Sequence, residues 1–258
     1  MVPTDGPRPY VLTETNWQAV SRTKYDIAVL PWGATEAHNF HLPYACDTIQ
    51  AERVAIEAAR IAWEGGARVI VLPPIPYGVQ TGQLDIPLCV NVNPSTQAAL
   101  LNDIVHSLAG QGIHKLVVLN GHGGNEFKAI IREVQPRHDV LICLLNWYTS
   151  VDASKTFDEP GDHAGELETS MLLHLVPQLV LPLQQAGSGA AKPFRVRALR
   201  EGWVWTPRHW RKTSADTGVG DPARSTAEKG AAFFAAATAR IGDFLLELAR
   251  TDREALYE

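Results

Sequence analysis

Hydrophobic positions follow two rhythms along the chain. Residues 26–31 (DIAVLP), 68–72 (RVIVL), 115–119 (KLVVL) and 139–145 (DVLICLL) are short apolar runs bounded by turn residues. Such runs fit strands buried on both faces. Elsewhere apolar positions recur at helical spacing. From Asp47 onwards, Ala51, Val54, Ala58 and Ile61 share a face, with Asp47 and Gln50 as a capping pair. A second helix runs from Ser95, its cap, towards Gly112, its stop. A third starts near Asn125, turns Phe127, Ile130, Ile131 and Val134 inward, and ends before Pro136. A fourth follows His163. The last opens on a capping box of Ser225 and Glu228 and carries Phe234, Ala237, Ile241, Phe244 and Leu248 on one stripe.

The alternation of strand and helix predicts an α/β fold with a mostly parallel sheet between helix layers. Ligand sites in such folds gather at the carboxyl ends of the strands. The polar clusters lie there: WGATEAH after the first run, PPIPYGVQTG after the second, NGHGGN after the third and NWYTSVD after the fourth. Residues 178–224 are rich in proline and glycine and carry Trp203, Trp205 and Trp210. They read as an excursion over the site, so residues 1–258 are expected to form a single domain.

Composition narrows the function classes. The 258 residues are 45% hydrophobic and 20% charged, enough for one substantial core and too apolar for a disordered chain. No run approaches the roughly 18 apolar residues of a membrane span. The opening MVPTDGPRPY has no basic stretch leading into an apolar one, which reads against a secretory signal. A net charge of -5 gives no basic footprint for nucleic acid. Cys46, Cys89 and Cys143 are odd in number and far apart, so they read as reduced, buried small residues of a cytoplasmic protein.

Three clusters carry candidate chemistry. Glu36 and His38 are two apart just past a strand end, and in extended backbone that spacing points both to one side. Asp47 follows at a helix start, where a plain N-cap also accounts for it. In NGHGGN, His122 sits among glycines that free the backbone. An incidental turn histidine, a phosphate-cradling loop and a ligand or acid–base group all fit that motif, although the spacing is not that of a known phosphate loop. In GDHAGELETS, His163 and Glu166 share a helix face, with Glu168 close by. The helix dipole accounts for acids in a first turn but not for His163. Together, two histidines and three carboxylates suit a two-metal site for Zn²⁺, Mn²⁺ or Fe²⁺. Glu36, Asp47 and Glu166 would leave one positive charge from two divalent ions, which favours ionising a bridging water.

LPWGATEAHNFHLPYACDT, NGHGGN, HAGELETS and GVGDPARSTAEKG (residues 218–230) resemble, in order, the four motifs of the creatininase (creatinine amidohydrolase) family. The resemblance implies a three-layer α/β/α sandwich with two divalent metals per chain and a homo-oligomer, often a hexamer. It places Glu36, His38, Asp47 and His122 on metal positions, with Asp47 bridging. Creatininase proper carries a glutamate where this chain has Gly124, so the resemblance passes the fifth ligand to Glu166. It gives His163 a proton-transfer role and Glu168 an acidic position beside it. Trp147 lies near an active-site tryptophan of the family, and Tyr77 and Gln80 belong to the divergent segment 77–93 expected to meet substrate. Trp203, Trp205 and Trp210 fit a lid, a subunit contact or a cover over the core. The expected activity is metal-dependent hydrolysis of a C–N bond in a small cyclic or linear amide. A deformylase, peptidase or lactonase, or a catalytically silent binding protein, are the alternatives.

Overall fold

The computed structural model describes residues 6–159 and 161–257. The first five residues of the opening segment lie outside them. The four apolar runs become strands β1 (Ile27–Trp32), β2 (Val69–Val71), β3 (Lys115–Asn120) and β4 (Leu141–Asn146). They form one parallel sheet in the order β2-β1-β3-β4, with Ala28 opposite both Ile70 and Leu116. Five helices of two turns or more flank it: α1 (Cys46–Glu64), α2 (Pro94–Gly110), α3 (Phe127–Val134), α4 (Glu166–Leu175) and α5 (Ala227–Arg250).

Side chains alternate across the strands, so each strand feeds two cores. Ile27, Val29, Val69, Val117 and Leu119 pack on one face with Val54 and Ala58 of α1, Leu172 of α4 and Ile241 and Leu245 of α5. Ala28, Leu30, Trp32, Leu116 and Val118 pack on the other with Leu101 and Val105 of α2 and Phe127 and Ile130 of α3. These are the two outer layers of an α/β/α sandwich. No helix among the described residues is long and apolar enough to cross a membrane.

Several helix starts differ from the sequence expectation. Asp47 is not a cap: α1 begins one residue earlier at Cys46, behind Ala45, which makes no side-chain cap bond. Gln50, its expected partner, is buried and donates to the Glu168 carbonyl. Asn93 rather than Ser95 precedes α2, with Pro94 in its first turn, where the missing N–H costs nothing. Asn125 lies before α3 and is tied to Val79 and Asn120. Thr226 rather than Ser225 caps α5, accepting from the Lys229 N–H. Phe233 and Leu245 take the innermost places on α5, leaving Phe234 and Phe244 half-buried.

The sheet order puts β1 between β2 and β3, so the chain leaves β1 to one side and returns on the other. The crevice above the carboxyl ends of β1 and β3 is therefore a topological switch point. The N-terminus of α1 closes tightly on it. A Cβ on Gly121, directly after β3, would stand 2.7 Å from the Asp47 carbonyl oxygen. Only glycine allows that approach.

Candidate metal and active site

Six ionisable side chains converge on this crevice, delivered by four segments. Glu36 and His38 come from the loop after β1, Asp47 from the first turn of α1, and His122 from the loop after β3. His163 comes from the segment just before α4 and Glu168 from its first turn. All but Glu168 are buried. His122 Nδ1 stands 3.0 Å from Glu36 Oε1 and 3.1 Å from Asp47 Oδ2. His38 Nε2 stands 3.0 Å from Asp47 Oδ1 and 4.0 Å from oxygens of both Glu36 and Glu168. His163 Nδ1 stands 3.7 Å from Glu36 Oε1. Asp47 thus offers one oxygen to His122 and the other to His38.

The three histidines are anchored alike. His38 Nδ1 donates to the Glu36 carbonyl at 3.2 Å, His122 Nε2 to the Val79 carbonyl at 2.9 Å and His163 Nε2 to the Ala37 carbonyl at 2.8 Å. A ring nitrogen facing a carbonyl must carry the hydrogen, so in each neutral ring the other nitrogen holds a lone pair. Those lone pairs point at carboxylate oxygens. Such an arrangement is repulsive unless a proton or a cation lies between, and backbone-anchored histidine is the usual outer support of a metal ligand. Asp47 Oδ2 gives the same indication: it is buried and accepts no hydrogen bond despite its contact with His122. The donor atoms sort into Glu36, Asp47 and His122, into His38, Cys46, Asp47 and Glu168, and into Glu36, His38 and His163, each set spanning no more than 4.8 Å.

With protons alone in the cluster, the electrostatics fit a cation site. Burial opposes charge on His38 and His122, yet their neighbours win and both rings are held well above the ordinary histidine range. For His38 those neighbours are Cys46, whose own thiol burial pushes up to about 12, and the Asp47 carboxylate; for His122 they are the Glu36 and Asp47 carboxylates. Burial works to raise the Glu36 and Asp47 carboxyls, but the neighbouring histidines draw both below the ordinary carboxylate range. Glu168 goes the other way: burial raises it, and His38 only partly offsets that.

Residues 13–245 match the creatininase family, described as creatinine amidohydrolase. The chain belongs to that family. A Mycobacterium tuberculosis mycofactocin precursor peptide peptidase is 32% identical over 219 residues, 81% of this chain and 80% of that protein. A Bacteroides fragilis crystal structure, described by likeness as a creatinine amidohydrolase, superposes with a TM-score of 0.92 at 43% identity, covering 97% of this chain and 99% of that one. Creatininase in its manganese form shares the fold at a TM-score of 0.73 and 22% identity, over 95% of this chain and 100% of that one.

Against the creatininase motifs, this chain places its acids differently from the sequence expectation. Glu166 does not join the cluster. Its carboxylate pairs with Lys229 of α5 and accepts from the Glu159 N–H. Glu168, two residues on, points into the crevice instead. At Gly124 a Cβ would come within 2.2 Å of the Val79 oxygen and 2.5 Å of His122 Nε2. No side chain fits there while His122 keeps its anchor, so a glutamate from that position is closed off.

The expected substrate contacts also separate. Trp147 is buried, edge-on to Phe233 and Tyr148, and is a core residue. Gln80 is buried and donates to the Thr35 carbonyl, bracing the β1 loop. Tyr77 is partly exposed, and its carbonyl accepts from Trp32 Nε1. Of the clustered tryptophans, Trp210 reaches the site: its ring lies 4.5 Å from that of His163, which in turn lies 4.1 Å from that of His38. Trp203 and Trp205 are 74% and 82% exposed and cover no core.

Two residues not singled out from the sequence complete the site. Gln83 is buried and donates through Nε2 to Glu36 Oε2, while its Oε1 takes the Ala37 N–H and the Cys89 thiol. It fixes Glu36 so that Oε1 faces the histidines. Tyr148 follows β4, with its hydroxyl beside Gly123. Burial, then Asp47 and Glu168, push that phenol up to about 12, so it remains a donor. A polar residue in the segment after β2 was the signal for Gln83; nothing in the spacing marked Tyr148.

Proposed function

We propose that this creatininase-family protein is a metal-dependent amidohydrolase, cleaving a C–N bond in a small cyclic or linear amide. The observation that carries the reading is the donor set: three buried histidines, each fixed by one N–H to a backbone carbonyl, turn their second nitrogen onto shared carboxylates. Glu36, Asp47 and His122 would hold one divalent ion, and His38, Asp47 and Glu168 the other, with Asp47 bridging. Glu168 takes the part expected of Glu166 and brings the same charge. The pair, as Zn, Mn or Fe, would polarise the scissile carbonyl and supply hydroxide near neutral pH.

The chain's own groups do the rest. With Nε2 held by Ala37, His163 has Nδ1 free to accept the proton that the attacking water gives up and to pass it to the leaving nitrogen, which departs poorly unless protonated. Trp210, its ring 4.5 Å from that imidazole, would limit water at the transferred proton. Tyr148, at the same edge of the sheet, remains protonated and can donate to the substrate oxygen. A short peptide is the second reading, favoured by the peptidase named among the relatives. The same reading includes a cytoplasmic homo-oligomer.

The test is elemental analysis before and after chelation, followed by a panel of lactams including creatinine, formamides, lactones and short peptides. Two equivalents of metal and chelator-reversible hydrolysis of an amide are expected. A protein that takes up no metal would remove the reading, and hydrolysis confined to lactones would remove the C–N specificity.

A further inference from the structure

We propose that Cys46 is a sulfur ligand of the ion held by His38, Asp47 and Glu168, so that this half-site selects zinc over manganese or magnesium. The inference rests on the metal-dependent reading above. Cys46 opens α1, directly before Asp47, and is fully buried. Its Sγ, a ring nitrogen of His38 and carboxylate oxygens of Asp47 and Glu168 all lie within 4.8 Å of one another. Small side-chain rotations would close that spacing on an ion with Zn–S at about 2.3 Å and Zn–N at about 2.0 Å.

A buried cysteine is ordinarily a small apolar core residue. Here its surroundings on one side are not apolar. Gln50 Nε2 lies 3.4 Å from the sulfur, and a histidine and two carboxylates complete the group. Without an ion, burial and then the Glu168 and Asp47 carboxylates push the Cys46 thiol up to about 12, so it keeps its proton. Coordination would form a metal–sulfur bond and release the thiol proton to solvent.

The two half-sites then differ in kind. Glu36, Asp47 and His122 offer two oxygens and a nitrogen, a set that suits manganese or iron. His38, Asp47, Glu168 and Cys46 offer a nitrogen, two oxygens and a sulfur, and thiolate selects zinc. Cys89 is engaged elsewhere, between Gln83 and the Ala37 N–H. Cys143 joins none of the metal-ligating groups among the described residues.

The wild-type protein and Cys46→Ser would each be stripped and reloaded with zinc, with manganese and, separately, with cobalt(II), and with zinc and manganese in competition. Bound metal is counted by mass spectrometry. Zinc X-ray absorption reads a sulfur neighbour at about 2.3 Å, and near-ultraviolet absorption reads thiolate-to-cobalt charge transfer. Two ions with both sulfur signatures in the wild type, and neither signature in Cys46→Ser, are expected. The zinc-over-manganese preference should fall at least about tenfold in the variant, the loss typical even of outer supports to a ligand. A Cys89→Ser/Cys143→Ser protein should keep both signatures. Two ions bound by the wild type without a sulfur signature would overturn the role of Cys46 and leave the binuclear reading standing. A wild type that binds no ion would overturn both. The wild-type spectra need no variant, so a misfolded Cys46→Ser does not rescue the proposal.

Discussion

At Glu36 the two carboxylate oxygens have separate duties. Oε2 accepts from Gln83, and Oε1 faces His122 and, farther off, His38 and His163. Gln83→Leu keeps the volume and removes the donor, so Glu36 is free to rotate out of position. Metal affinity should then fall about 10- to 100-fold, the usual effect of losing an outer support, as measured against a chelating dye. Unchanged affinity would show that Gln83 does not orient Glu36. His163→Ala should behave in the opposite way. It should keep both ions and lower kcat by about 10²–10⁴, the range of general-acid catalysis. Turnover close to wild type, measured on the amide found in the substrate panel, would remove His163 from proton transfer.

Helix α4 shows how one element separates two acids that look equivalent in the sequence. Residues two apart on a helix do not face each other. Glu168 therefore reaches the crevice while Glu166 turns to Lys229 on α5. Glu166 links the start of α4 to α5 through that pair, beside the Thr226 N–H donating to Ser170 Oγ. Glu168→Gln should bind one ion fewer than wild type. Glu166→Gln should keep both ions and lose melting temperature, because the pair between buried Glu166 and partly exposed Lys229 is weakened. Metal counting and calorimetry on the two variants separate these outcomes; loss of an ion from Glu166→Gln would return that residue to the ligand set.

Across the whole molecule, the site ties stability to pH. In the ion-free protein His38 and His122 are held above the ordinary histidine value near 6.5. Their pairing with carboxylates stabilises the fold fully below that value, and the contribution is lost as pH rises through the raised folded-state values. Glu36 and Asp47 are held low, so their contribution is present above the ordinary carboxylate range and is lost as pH falls. Divalent ions compete with protons for both rings. The gain in melting temperature on metal loading should therefore grow between about pH 6 and about pH 8. Scanning fluorimetry of loaded and stripped protein reads this directly, and a gain independent of pH would mean that the rings do not face the ion. The excursion belongs to this scale as well. Arg208 pairs with Asp162, Arg211 with Asp85, and Asn39 bonds both ways with Gly187, which sets Trp210 over His163.

The sequence by itself determined the strands, their parallel arrangement and the end of the sheet where chemistry gathers. Short apolar runs bounded by turn residues fit buried strands, and the loops after them carried Glu36, His38 and His122. It also brought Asp47 and the start of α4 into consideration, because acids and histidines stood out from their neighbours. Tertiary structure decided which of those groups meet. Spacing within a segment fixes neither the phase of a helix against the sheet nor the partner that occupies a side chain. Asp47 read equally well as a cap until His38 and His122 claimed its oxygens. Glu166 read as a ligand until Lys229 took it. Trp147 lies in the core while Trp210, from an irregular segment, covers His163. Cys46 is the reduced, buried core residue that the sequence suggested, and the fold also sets its sulfur near His38, Asp47 and Glu168. In most of these cases the deciding contact joins residues far apart in the chain, and only the packed molecule brings them together.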